Sequence, residues 1–279
     1  MIKEYQQFDF QGKTTFVKAI LEPPFKMMTD MYDEACFYFV KTGKRRMYSA
    51  TEKIEMVANE GVVLQCGKYI NNYIASEEID YCESIAVHLF PEVLRLVYDN
   101  EFPDFLTNMQ KVEPVKYERV ESTSLLENYI QSLEFYFSNP SLVSDELLKL
   151  KIKELLLLLS KTDNVGIIKT LLSGMFDPLE INFKEVIEAN IYNNLSIQDL
   201  AELTNLSLSS FKREFEKHFD DSPAKYIKRR KLEKSAKLLK NTELRITDVA
   251  FDSGFNDLAH FSKSFQSEYG VAPSDYRNN

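Results

Sequence analysis

Over the first hundred positions apolar and polar residues alternate in short runs, and beyond them the period lengthens to that of a helix. Between Glu34 and Ala50, EACFYFVKTGKRRMYSA places two β-rich runs around Lys-Thr-Gly-Lys, which predicts a hairpin. KIEMVANEGVVLQCGKYINNYI repeats the design, with turns at Asn-Glu-Gly and Cys-Gly-Lys. DYCESIAVHLF then alternates before PEVLRLVYD, a short helix opened by Pro91. Short strands at this close spacing predict a β sandwich or small barrel over residues 1–110.

From about position 122 the pattern is helical. Leu125, Leu126, Tyr129, Ile130, Leu133 and Phe137 fall on one face, and the segment ends at Asn139-Pro140. SDELLKLKIKELLLLLSK follows, with Ser144 as its N-cap. Leu155 to Leu159 put leucine on every side of that helix, which predicts that it is enclosed. VGIIKTLLSGMF is a third helical stretch, stopped near Asp177-Pro178, and a fourth runs from Phe183 to Asn193. The apolar faces within residues 111–178 exceed what one neighbouring helix covers, so this region is expected to form a dimer seam.

The last part of the chain, residues 179–279, writes one pattern twice. At an offset of 49, Ile197 meets Ile246, Asp199 meets Asp248, Leu200 meets Val249 and Ala201 meets Ala250. A small residue at the last position lets a second helix cross close by. Asn205 falls opposite Gly254, and both tolerate the left-handed backbone that turns a chain out of a helix. After the turn the offset is 50: Phe211 meets Phe261, Phe215 meets Phe265 and Phe219 meets Tyr269, one buried stripe of a helix in each copy. Asp220 meets Gly270, again at a helix end; Pro223 meets Pro273 and Tyr226 meets Tyr276. Each copy is a helix, a tight turn and a second helix, over about 196–219 and 245–269.

The outer faces of the two second helices are polar and partly basic: Ser209, Ser210, Lys212, Arg213 and Lys217 in the first, His260, Ser262 and Lys263 in the second. SPAKYIKRRKLEKSAKLLK joins the copies as one helix, with Ser222 placed to cap it and Pro223 in its first turn. Charge supports this division. The chain carries a net charge of −9, yet residues 181–279 hold 15 basic and 15 acidic side chains, and within them residues 211–240 hold 11 basic against 5 acidic. A whole-chain average hides such a patch.

With these residues in place, DLAELTNLSLSSFKREFEKHF, SPAKYIKRRKLEKSAKLL and ITDVAFDSGFNDLAHFSKSFQSEYGVAPSDYR together resemble the C-terminal domain of the AraC/XylS transcription regulators, over residues 183 to 277. The resemblance implies seven helices, with two helix-turn-helix units reading successive major grooves on one side of double-stranded DNA. It assigns base reading to Ser209, Ser210, Lys212 and Arg213, then to Leu258, Ala259, His260 and Lys263. Lys263 stands where many relatives carry Arg, and an ammonium offers no planar fork for guanine. Asp220 and Asp221 replace the family's usual Gly-x. Arg230, in the linking helix, is expected to pack or pair rather than touch DNA. The first half, through GKRRMYSA and EGVVLQCG, resembles the ExsA-like subgroup and the cupin-like barrel that many members carry.

The implied whole is α+β: a cupin-like β barrel or sandwich with a helical dimerisation segment, then an all-α domain with two helix-turn-helix motifs. The implied protein is a cytoplasmic activator, a homodimer that binds DNA and RNA polymerase. Its N-terminal domain is controlled by a small effector or a regulatory protein; the alternative is a regulator with no ligand pocket that works through dimerisation or an anti-activator protein. Phe37, Tyr38, Phe39, Tyr48, Tyr69, Tyr73 and Tyr81 either line a pocket or fill the barrel. No cofactor, metal or catalysis is expected. His88 stands alone before His218, and metal-binding barrels need two or three histidines with a carboxylate. Cys36, Cys66 and Cys82 supply neither a disulfide framework nor the metal-held cluster of an enzyme joined to a DNA-binding domain. A helical module that never touches DNA is the remaining competitor. ELLLLLS, the most apolar run, is too short to cross a bilayer.

Overall fold

The computed structural model describes residues 1–31, 34–74, 80–99, 101, 117–120, 123–161 and 183–278. The chain divides into two compact units: Met1–Tyr48 with Ile54–Glu180, and Ser49–Lys53 with Ile181–Asn279.

The first unit is built on two sheets. One runs β1 (Ile2–Phe10), β2 (Lys13–Leu21), β9 (Cys82–Leu89), β4 (Ala35–Thr42), β7 (Glu60–Leu64), β10 (Tyr117–Val120). The other runs β3 (Phe25–Met31), β8 (Gly67–Ile74), β5 (Lys44–Tyr48), β6 (Lys53–Val57). They pack face to face as a sandwich whose strands do not close into a barrel. The period of two sorts β4 cleanly: Cys36, Tyr38 and Val40 enter the core between the sheets, and Ala35, Phe37 and Phe39 enter a second core on the opposite face. That second core is roofed by α1 (Pro91–Val97), α2 (Ser124–Ser138) and α3 (Asp145–Leu159).

Two expectations change here. The runs around Lys-Thr-Gly-Lys are strands, but β4 and β5 belong to different sheets and form no hairpin. Gly43 turns the chain from one sheet to the other at φ +88°, where a Cβ would meet the Tyr81 carbonyl oxygen at 2.6 Å. The same switch separates β6 from β7 and β7 from β8. The inner faces of α2 and α3 are covered by the chain's own sheet. Second, Leu125 is 61% exposed and Leu157 53% exposed, so the helices keep an open side despite the leucine run. Ser144 does cap α3, its hydroxyl accepting from Leu147 N. The stretch VGIIKTLLSGMF lies outside the described residues.

The aromatic residues divide between the two roles open to them. Tyr38, Tyr69 and Tyr73 line a cavity of about 240 Å³ between the sheets, whereas Phe37 and Phe39 fill the core under the helices.

The second unit is helical: α4 (Phe183–Asn190), α5 (Ile197–Leu203), α6 (Leu208–Phe219), α7 (Pro223–Asn241), α8 (Ile246–Asp252), α9 (Leu258–Tyr269) and α10 (Pro273–Asn278). It has two cores, and α7 serves both. Tyr226 and Ile227 enter the first with Phe211 and Phe215, while Leu232, Ala236 and Leu239 enter the second with Phe261 and Phe265. Pro223 is the first residue of α7, but Ser222 makes no capping bond with its side chain; its own N–H is instead taken by Asp221 Oδ1. Ser49–Lys53 joins this unit through Asn190, whose Nδ2 donates to the carbonyls of Ser49 at 3.1 Å and Ala50 at 2.8 Å.

Candidate nucleic-acid interface

The duplicated sequence folds into duplicated geometry, down to single hydrogen bonds. Leu206 N donates to Ala201 O at 3.0 Å, and Phe255 N to Ala250 O at 3.0 Å. Between those partners the backbone is left-handed, at φ 59° in Asn205 and 86° in Gly254. A Cβ at Gly254 would lie 2.4 Å from the Tyr192 carbonyl oxygen, so the second turn requires glycine on two counts. Ser207 caps α6 through Ser210 N, and Asp257 caps α9 through His260 N. Both helices end left-handed, at φ 51° in Asp220 and 77° in Gly270. Asp220 thus performs the turn that glycine performs in the second copy.

Beneath each outer face the aromatic stripe is locked. Phe215 lies 4.5 Å from Phe219 and 5.5 Å from Tyr226, and Phe265 lies 4.5 Å from Tyr269 and 5.2 Å from Tyr276. With that stripe inside, a helical period puts the intervening residues outside. Ser209, Lys212, Arg213 and Lys217 are exposed on α6, with Ser210 half-buried. Leu258, Ala259, His260 and Lys263 are exposed on α9, with Ser262 half-buried. Arg213 Nη2 donates to Ser210 Oγ at 3.4 Å. Lys217 pairs with Glu214 at 3.1 Å and, foremost among its neighbours, holds the Glu214 carboxyl below the usual range. The outer face of α6 is the more basic of the two.

Much of the charge on α7 is structural. Arg230 grips Glu188 through both terminal nitrogens at 3.1 Å and donates to Tyr226 Oη at 2.6 Å. Burial works against its charge, but the bonds to Glu188 and Tyr192 raise it above the usual range. Arg229 pairs with Asp221 at 2.9 Å. Lys231 donates to the Gly254 carbonyl at 2.7 Å, and burial lowers its ammonium below the usual range. Glu188, Asp257 and the capping box of Ser196 with Asp199 had no part in the sequence reading. The two caps were legible as Ser-x-x-Asp and as an Asp before a helix; Glu188 was not, because its partner lies 42 positions away.

Among the described residues no group of three or more His, Cys, Asp or Glu is placed to hold a metal ion. No helix among them is long and apolar enough to cross a membrane.

Known families match parts of both halves of this sequence. Residues 200–279 match the family described as Helix-turn-helix domain, and residues 35–170 match the ExsA N-terminal regulatory domain. XylDLEGF operon transcriptional activator 2 of Pseudomonas putida is 42% identical over 94 residues, which cover 33% of this chain and 60% of that protein. HTH-type transcriptional activator RhaS of Enterobacter sp. is 32% identical over 91 residues, covering 33% of each. The chain therefore matches less than two thirds of the length of these relatives. ToxT from Vibrio cholerae, a solved structure, is 16% identical over 95% of this chain and 98% of its own, with a TM-score of 0.39. Residues 200–279 carry the helix-turn-helix domain through which the C-terminal end of this chain is similar to activators of the AraC/XylS type.

Proposed function

We propose that the chain is a sequence-specific DNA-binding regulator of transcription, an activator working in the cytoplasm and governed through its N-terminal unit. One observation carries the reading: the same helix pair occurs twice on a single bridging helix, each time with its aromatic stripe buried and its polar face bare. A helix presented in this way fits the major groove. On this reading Ser209, Ser210, Lys212 and Arg213 face base edges and Lys217 meets phosphate. His260, Ser262 and Lys263 do the same one turn of the duplex away, beside Leu258 and Ala259.

The active species is a homodimer, joined through the open side of α2 and α3, where Leu125, Phe135, Leu150 and Leu157 are exposed. Once on DNA it works on RNA polymerase, and catalysis has no part in the reading. A small effector is favoured over control by a protein alone, because the N-terminal sandwich encloses a cavity of about 240 Å³. The test is selection of the full-length chain against a random duplex library. The expected product is one motif with two conserved blocks about 10 base pairs apart; enrichment of DNA with no common motif overturns the reading.

A further inference from the structure

The cavity between the sheets holds one charged group that its surroundings do not answer. Arg45, on β5, is 4% exposed. Its guanidinium carbon lies 3.7 Å from the centre of the Tyr38 ring and 5.2 Å from that of Tyr73, so two aromatic faces flank the cation. Nη2 donates to Asn71 Oδ1. That amide is itself fixed, because Asn71 Nδ2 donates to Thr29 Oγ1 at 2.8 Å and to Tyr69 O at 3.2 Å. Arg45 Nε and Nη1 are buried without a hydrogen-bond partner, and so is the hydroxyl of Tyr38 beside them.

A guanidinium keeps its charge in proteins, and a buried charge normally sits against an opposite one. Among the described residues lining this cavity there is no aspartate or glutamate. Burial is the main influence on Arg45 and lowers it from its usual range; the groups that act the other way are Tyr73, Cys82 and Cys36. The rest of the wall is largely apolar, with Val17, Leu21, Met31, Met47 and Tyr69 facing the space. Ile2 and Tyr5, at one edge of it, are exposed, which leaves a way in from solvent.

Building on the small-effector reading above, we infer that this cavity is the binding site for a small organic acid, a single carboxylate on an apolar body, and that Arg45 receives the carboxylate. The charge count selects a monoanion. His88, the other basic group among the described residues of the wall, is already paired with Glu34 through Nδ1 at 2.8 Å, which leaves Arg45 as the one unanswered cation there. A phosphate, with nearly two charges and more oxygens to satisfy, would be left short of donors. The wall selects an apolar body, since a sugar or polyol would bury hydroxyls against methionine and valine. Size sets the scale. An apolar cavity of about 150 Å³ holds benzene, so 240 Å³ takes roughly ten non-hydrogen atoms.

The experiment is calorimetric titration of the full-length chain with octanoate and with 3-phenylpropanoate, an aliphatic and an aromatic acid of about this size. 1-Octanol and octylamine serve as neutral and cationic controls. At least one acid is expected to bind one per chain, at least tenfold more tightly than 1-octanol, with octylamine not binding. Whichever acid binds more tightly identifies the body as chain or ring. Arg45→Met, which removes an unpaired buried charge, is expected to weaken the acid at least tenfold while leaving 1-octanol unchanged; Arg45→Lys should restore part of the loss. Neither acid binding, or 1-octanol matching the acids, overturns the proposal. So does full acid affinity in a folded Arg45→Met chain. If that variant does not fold, the wild-type comparison of acid with alcohol decides alone. A DNA mobility shift on the same samples separates this failure from failure of the regulator reading, since loss of acid binding leaves DNA binding by the helical unit untouched.

Discussion

Arg213 is tied down by little: one 3.4 Å contact to Ser210 Oγ has to give way before it reaches a base edge. Arg213→Ala is therefore expected to weaken the specific site by about 1–3 kcal/mol and scrambled DNA less. Lys217 shares its charge with Glu214 and lies farther along the helix. Lys217→Ala should weaken all sequences about equally and flatten the salt dependence by about one unit of slope. Phe215→Ala is the control for folding, emptying a core position at a cost of about 3–5 kcal/mol. Affinities on both DNAs, with thermal melts alongside, distinguish the three; equal losses for Arg213→Ala on both DNAs would move base reading to other residues. At the turns, Gly254→Ala adds a Cβ to a left-handed backbone 2.4 Å from a carbonyl oxygen, and is expected to destabilise by at least about 2 kcal/mol. Asp220→Gly carries the opposite sign, because Asp220 already sits at φ 51° with a side chain; a gain of up to about 1 kcal/mol in urea unfolding is expected.

Among the elements, α2 and α3 behave differently from the helices around them. Their inner faces are spent on the sheet, yet Leu150 is 62% exposed and Leu157, one heptad on, 53%. If this side joins two copies, Leu150→Glu with Leu157→Glu should turn a dimer into a monomer in sedimentation equilibrium. Exposed positions leave the fold alone, so the melt should shift by no more than about 0.5 kcal/mol per substitution. A wild-type chain that sediments as a monomer at micromolar concentration would remove this seam. The sequence pattern alone located most elements but misjudged how two strands combine. Phe211, Phe215 and Phe219 mark a buried stripe because their spacing is set within one helix. The runs on either side of Gly43 mark two strands equally well, but pairing depends on which sheet each one joins, and nothing local encodes that.

For the whole molecule, charge is the quantity that the linear count overstates. Residues 211–240 carry 11 basic side chains, yet Arg230 and Arg229 are committed to Glu188 and Asp221, and Lys231 to a backbone carbonyl. Lys234 lies 4.3 Å from the centre of the Tyr192 ring. What remains for DNA is a smaller set on the outer faces, led by Lys212, Arg213, Lys217 and Lys263. With about five phosphates neutralised, the log–log salt slope should be about −4.5. Filter binding of the full-length chain at several salt concentrations measures it, and a slope near zero would contradict binding through phosphates despite the net charge of −9.

The helical half was legible because its information is local. A turn of helix, the left-handed residues Asn205, Asp220, Gly254 and Gly270, and an aromatic at every fourth position are each decided within a dozen residues, and duplication doubles the signal. Arg230's structural role could be anticipated, but its partner could not, since Glu188 reaches it only through packing of α4 on α7. The N-terminal half shows the other limit. Alternation places Arg45 and Arg46 on opposite faces of one strand, but does not say which face is inside. Only the apposition of β4, β5 and β8 puts Arg45 among Tyr38, Tyr73 and Asn71 and leaves it without a carboxylate, because burial and charge pairing are made by residues far apart in the chain.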